Sequence, residues 1–224
     1  MCHTSCIQFA KSHLLEEDVR RKEVIEVGSR NVNGSVREVV EPLKPFSYLG
    51  VDIETGSGVD DICDVNDLVS RFGKERFDVV ISTELFEHVR HWRRAVSSLK
   101  NILKPNGILL LTTRSRGFRY HGYPFDFWRY ERADMEVIFS DLSVEAIEED
   151  PVSPGVFVKA RKPISFVEND LTFHELYSII RDRRCRDIRD SDISIWRLTR
   201  RPRLSYRRRA ARRHPSFHSK INKP

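Results

Sequence analysis

Four short stretches hold the side chains that could do chemistry. The first is Glu26-Val27-Gly28-Ser29-Arg30-Asn31-Val32-Asn33-Gly34-Ser35, a carboxylate followed at once by a glycine. Gly28 permits a tight turn and close approach of backbone to a ligand, and Asn33-Gly34 supplies positive φ ahead of a helix. The second is Asp52-Ile53-Glu54. Asp52 stands 24 positions after Gly28, near the distance at which a carboxylate reaches ribose hydroxyls in doubly wound folds. Asp64 is a third acid, placed where it could face an adenine amino group or cap the helix that begins at Val65. The fourth set is Glu87-His88 with His121 and Asp126, since imidazoles and carboxylates are the usual proton carriers near neutral pH.

Between the expected strand Ile108–Thr113 and the helix at Arg132 lies Arg114–Tyr130, which holds Phe118, Tyr120, Tyr123, Phe125, Phe127, Trp128 and Tyr130. Such faces can stack on a planar acceptor or surround a cation, while Arg114, Arg116 and Arg119 attract an anion. Tyr123 and Trp128 are the candidate substrate contacts, with His88, His121 and Asp126 as candidate bases. The plainer alternative is an aromatic loop burying itself against the domain. No metal site is expected, because Cys2-His3 and Cys6 lack a second pair of ligands.

The elements that must position these groups alternate at βαβ spacing. Residues 4–22 suit one helix. Strands are expected at Glu23–Val27, Phe46–Ile53, Val59–Cys63, Phe77–Ser82 and Ile108–Thr113, with helices at Ser35–Glu41, Val65–Phe72 and Val89–Leu103 between them. A helix over Arg132–Phe139 then leads to Val144–Glu148 and Gly155–Arg161. These last strands lie only a few residues apart, so they must be antiparallel neighbours, because a parallel crossover needs about a dozen residues. In such sheets ligands sit outside the carboxyl ends of the strands, where the four stretches fall.

Composition divides the chain. From Ile164 onward 14 Arg and 2 Lys face 7 acidic residues, net +9, which leaves −3 for residues 1–163 out of a total of +6. The boundary is set at Arg161-Lys162-Pro163. The expected organisation is an N-terminal helix (1–22), a ligand-binding domain (23–163) and a basic C-terminal region (164–224). Leu171–Arg189 reads as a helix docked on the domain or on a neighbouring subunit of a homo-oligomer. Arg197–Arg213 could contact RNA or another polyanion through phosphates, or stay solvated. Ile108–Leu111 is the longest apolar run, far short of the roughly 20 residues a membrane helix needs. Four scattered cysteines and no export signal suit the cytoplasm.

Taken in order, Glu26–Ser35, Leu49–Glu54, Asp64, Phe77–Val89 and Leu103–Thr113 resemble the motifs of class I S-adenosylmethionine-dependent methyltransferases, and more narrowly the methyltransferase type 11 group. The most specific part is Phe77-Asp78 opening a strand that leads to Glu87-His88-Val89; Leu103-Lys104-Pro105-Asn106-Gly107 is similar to the turn into the fifth strand. The resemblance covers residues 20–162. It implies a Rossmann-like three-layer α/β sandwich with a mostly parallel seven-stranded sheet and an antiparallel last strand. It also implies S-adenosylmethionine as cofactor. By position, Glu26 and Gly28 would line its methionine part, with Ser29 and Gly34 of the same loop also contacting the cofactor, Asp52 would hold the ribose, Ile53 would flank the adenine, and Asp64 would meet its amino group. Thr83 and Glu84 would sit beside the sulfonium. Arg30 and Val32 stand where the family has glycines, so a remodelled loop is expected, turned and capped by Asn33-Gly34-Ser35. The function expected is methyl transfer to a small-molecule acceptor; the alternative is a non-catalytic or tail-directed RNA-binding protein on the same domain. A nicotinamide oxidoreductase fits badly, because the GxGxxG loop is absent.

Overall fold

The computed structural model describes residues 4–122 and 125–199. In chain order the elements are α1 (Thr4–His13), α2 (Glu16–Val19), β1 (Glu23–Val27), α3 (Arg37–Val40), β2 (Ser47–Asp52), β3 (Asp61–Ile62), α4 (Leu68–Phe72), β4 (Phe77–Thr83), α5 (Trp92–Ile102), β5 (Leu103–Arg114), β6 (Trp128–Arg129), α6 (Arg132–Ile138), β7 (Ser143–Glu149), β8 (Gly155–Arg161), β9 (Leu176–Ser178) and β10 (Arg183–Cys185). Seven strands form one sheet in the order β3-β2-β1-β4-β5-β8-β7. The first five are parallel, and β8 runs antiparallel to both β5 and β7. This is the expected Rossmann-like architecture. The order reverses between β1 and β4, which puts the ligand crevice at the carboxyl ends of those two strands.

The central strands are apolar because both their faces are covered. Val24, Ile25, Val79, Val80, Ile81, Leu109 and Leu110 are fully buried. Phe9, Ala10 and Leu14 of the N-terminal segment cover one face, packed with Val24, Val79, Ile81 and Phe157. On α5, Trp92, Ala95, Val96, Leu99 and Ile102 are buried at the spacing of one helix face.

Three expectations change. Residues 4–22 form two helices rather than one. The break at Leu15 follows from Asp18, whose carboxylate accepts the Leu15 amide (3.2 Å) and is tied to Lys159 of β8 (2.9 Å). Leu171–Arg189 is not a helix: β9 and β10 form a hairpin, and β9 pairs with β6 to complete a small antiparallel sheet. The composition boundary at residue 163 marks the end of β8, yet the chain continues within the same compact unit through Asp187. Arg93 on α5 holds this continuation, donating to the carbonyls of Leu171 (2.7 Å), His174 (2.6 Å) and Arg186 (2.9 Å). A second unit covers residues 188–224, of which 190–199 are helical. Arg200–Arg213 lies outside the described residues. Among the described residues no helix is long and apolar enough to cross a membrane.

Candidate active site

Two walls meet at the switch point. The first is built from the β1 and β2 ends. Gly28 takes φ +83, and a side chain there would press on Leu85, whose Cβ lies 3.1 Å from the site of the missing Cβ. The Gly28 and Ser29 amides donate to the Val51 carbonyl (2.8 and 3.1 Å), so the loop is drawn against β2. The Ser29 hydroxyl is buried and has no hydrogen-bond partner. Arg30 donates its amide to Asp52 (3.3 Å) and pairs its guanidinium with Glu54, while Val32 is exposed. Neither residue takes a positive φ, so neither position requires glycine. Asn31 accepts the Gly34 amide (2.9 Å), and the Ser35 hydroxyl accepts the Arg37 amide (3.1 Å) at the first turn of α3. The loop is thus turned by Asn31, and Ser35 closes a turn just ahead of α3 without capping it, since the N-cap is Val36 and has no side-chain cap.

Glu26 lies under this wall, 2% exposed. Burial pushes its carboxyl up to about 7, although Tyr48 donates to it (2.6 Å) and Arg37 is nearby. Asp52 is half-buried and Ile53 is exposed beside it, a carboxylate next to an apolar platform. Asp64 lies further out, where it caps the single turn Val65–Asp67 by accepting the Asn66 amide (2.8 Å).

The second wall follows β4. Thr83 is buried at the strand end. Glu84 takes φ +54, and its side chain turns inward to Cys6, Thr112 and the Arg114 guanidinium. Burial and the neighbouring Glu87 push this carboxyl well above its usual range against the pull of Arg114. Glu84 therefore supports the wall rather than lining it. Arg114, expected to attract an anion, is itself buried between Glu84 and Asp150.

Glu87, His88 and His121 form a compact cluster just beyond. One Glu87 oxygen accepts the Thr113 hydroxyl (2.8 Å), and the other, Oε1, is buried without a hydrogen bond. His121 Nε2 lies 3.5 Å and His88 Nε2 3.9 Å from Oε1. Despite the desolvation that opposes ionisation, the two imidazoles hold the Glu87 carboxyl down to about 2. Burial opposes charging of His121 as well, but Asp126 and Glu87 raise it to about 9. Asp126 is wholly buried, fixed by two hydrogen bonds from the Arg129 guanidinium and bonded to His121 Nδ1 (2.9 Å). It can thus orient His121 but does not face an acceptor, a correction to its reading as a base. Trp128 is a second correction. Its ring is fully buried in β6 and donates to the Arg90 carbonyl (3.1 Å), so it belongs to the packing and not to a substrate surface. Tyr123 lies outside the described residues.

Glu26, Gly28, Ser29, Asp52, Ile53 and Thr83 thus stand at or just beyond the carboxyl ends of β1, β2 and β4, and His88 and His121 come together with Glu87 after β4. Glu87 was named with His88 as a proton-carrying pair, and Arg129 is a residue that sequence reasoning left out. Arg129 carried no local signal.

A family model described as a methyltransferase domain matches residues 7–149. Solved structures of similar fold include an S-adenosylmethionine-dependent methyltransferase from Mesorhizobium loti (14% identical, covering 71% of this chain and 98% of that one, TM-score 0.51). Another is a putative S-adenosylmethionine-dependent methyltransferase from Listeria monocytogenes (13% identical, 70% and 96% covered, TM-score 0.55). A third is 1,6-didemethyltoxoflavin-N1-methyltransferase from Burkholderia thailandensis, bound to its named substrate and S-adenosylhomocysteine (12% identical, 70% and 78% covered, TM-score 0.54). At these identities the likeness is one of fold. No curated protein sequence matches the chain.

Proposed function

The chain belongs to the methyltransferase-domain family and is an S-adenosylmethionine-dependent enzyme; from that premise we propose that it methylates a polar acceptor held against His88 and His121. The observation that carries this reading is that the Gly28 loop, Asp52 and Ile53 stand at the carboxyl ends of β1 and β2 while His88 and His121 come together just after β4. The residues present fit the cofactor. Gly28 leaves its backbone open to close approach, the buried Ser29 hydroxyl lacks a partner, and Asp52 stands beside the exposed face of Ile53. We assign Glu26, Gly28, Ser29 and Gly34 to its methionine end, Asp52 to the ribose, Ile53 and Asp64 to the adenine, and Thr83 to the sulfonium side.

When bound, the cofactor supplies a methyl group on a positively charged sulfur, open to in-line displacement. The protein's part is mainly to hold donor and acceptor at near-attack distance and to exclude water. Leu85, packed on Gly28, and the buried β4 end supply the dry side. His88 Nε2 and His121 Nε2 face the acceptor side, where they can receive or hold its proton, and Asp126 keeps the His121 ring in place. We place the enzyme in the cytoplasm and read the acceptor as a small molecule. The arginine-rich stretch after Thr199 would add affinity for a polyanion.

Calorimetry with S-adenosylmethionine tests the core of this reading. The wild type should bind one cofactor per chain. Asp52→Asn should weaken binding about tenfold or more, the loss of a charge-assisted hydrogen bond, without unfolding the protein. No binding by the wild type at millimolar cofactor would sink the enzyme reading.

A further inference from the structure

We propose that Glu87, His88 and His121 form a divalent metal site, in which Glu87 Oε1 and the two Nε2 atoms hold a borderline cation of the zinc type. The three atoms lie within 4.8 Å of one another, with Oε1 3.5 Å from one ring nitrogen and 3.9 Å from the other. Ligands at about 2.0–2.1 Å from a tetrahedral zinc lie about 3.4 Å apart, so small side-chain movements close the site.

The orientation of each ring argues for a cation more strongly than proximity does. His88 Nδ1 lies 2.7 Å from the Phe125 carbonyl, which can only accept; Nδ1 therefore carries a hydrogen, and in the neutral ring that leaves the lone pair on Nε2, the nitrogen on the Oε1 side. His121 Nδ1 faces the Asp126 carboxylate at 2.9 Å with the same consequence. Metal-bound histidines characteristically donate their other nitrogen to a carbonyl or carboxylate in this way. The alternative is a salt-bridged imidazolium at His121 with no metal. That accounts for His121, but Glu87 Oε1 stays buried without a hydrogen bond and His88 Nε2 stays 3.9 Å away. A cation satisfies all three atoms at once.

Two imidazoles and one carboxylate leave a coordination position open, as catalytic zinc sites do. Glu87 is fully buried while both histidines keep 17% side-chain exposure, so access is from their side. That position suits an oxygen of the acceptor, which a cation would hold and make more acidic, so that its proton passes to solvent. With the cation bound the two Nε2 atoms are ligands, and this polarisation replaces proton uptake by the free imidazoles. The acceptor class this implies is a hydroxyl compound. This last step rests on the methyl-transfer reading; binding of the cation does not.

Metal-stripped full-length protein titrated with CoCl2 tests the site. One equivalent should bind, giving visible cobalt bands without a sulfur-to-cobalt band, and ZnCl2 should displace it. Glu87→Gln, which keeps shape and loses charge, and His88→Gln should each weaken Co2+ at least 100-fold, with circular dichroism and S-adenosylmethionine affinity retained. Asp126→Asn should weaken it about 10- to 100-fold by freeing the His121 ring. The proposal is overturned if the wild type binds no Co2+ in the micromolar range, if the folded variants bind it as the wild type does, or if a sulfur-to-cobalt band appears. Stoichiometric Co2+ with no cofactor binding would remove the methyl-transfer reading and leave the metal site standing.

Discussion

Replacing Glu26 by Gln should stabilise the protein at pH 8 and leave it nearly unchanged at pH 4. Glu26 is 2% exposed, and burial moves its carboxyl from 4.5 in the unfolded chain to about 7 in the folded one, with Tyr48 and Arg37 opposing. Below pH 4.5 the group is protonated in both states and costs nothing. Between 4.5 and 7 the folded state retains a proton that the unfolded state has lost, so stability falls as pH rises. Above 7 the carboxylate is ionised in both states and the whole penalty applies, about 3 kcal/mol from the displacement of the pKa. Gln keeps an acceptor for the Tyr48 hydroxyl, which lies 2.6 Å from the carboxylate, and carries no charge. At roughly 2–4 °C per kcal/mol for a chain of this size, Tm should rise by about 6–12 °C at pH 8. Scanning fluorimetry of both proteins across pH 4–8 measures it, and S-adenosylmethionine affinity measured in parallel should fall about tenfold. An equal Tm shift at both pH values, or destabilisation at pH 8, would refute the reasoning. The outcome expected is a carboxylate retained for binding at the expense of stability.

Three further perturbations probe other parts of the molecule. Gly28→Ala places a Cβ at φ +83 within 3.1 Å of Leu85; it should cost about 2 kcal/mol, read by urea unfolding, and weaken cofactor binding as well. Asp141→Ala leaves the fully buried Lys100 ammonium without its 2.8 Å partner, which should cost about 3–5 kcal/mol in the same assay. The double variant Lys100→Met, Asp141→Leu should recover most of that loss. Removing residues 200–224, which contain 8 Arg and 2 Lys and no acidic residue, should flatten the salt dependence of RNA binding while leaving cofactor affinity unchanged. Truncation at 163 is the wrong cut, because it would also delete the hairpin that pairs with β6.

Much of the fold is written locally. Val79-Val80-Ile81 and Leu109-Leu110-Leu111 read as buried parallel strands because both sides of such a strand are covered, and the chain shows it as an unbroken apolar run. The antiparallel hairpin of β7 and β8 was legible from connection length alone, and the positions of Gly28, Asp52 and Thr83 followed from strand ends. Where partners are remote, the same evidence misled. Phe173, Leu176, Tyr177 and Ile180 fit a helical period, but Tyr177 and Ser178 pair with β6, some fifty residues earlier, and Leu176 pairs with Cys185 of β10. No local pattern names that partner.

The site divides in the same way. The sequence by itself determined the domain family and the strand ends at which the proposed cofactor-side residues stand. Only the tertiary structure decided which of the chemical groups are usable. Glu84, Arg114 and Trp128 look like site residues in one dimension and are buried in three. Glu87 and His121, 34 positions apart, meet at 3.5 Å because Arg129 and Asp126 fold the intervening loop back onto the end of β4. The strength of a charge depends on what surrounds it, and those surroundings come from segments far apart in the chain.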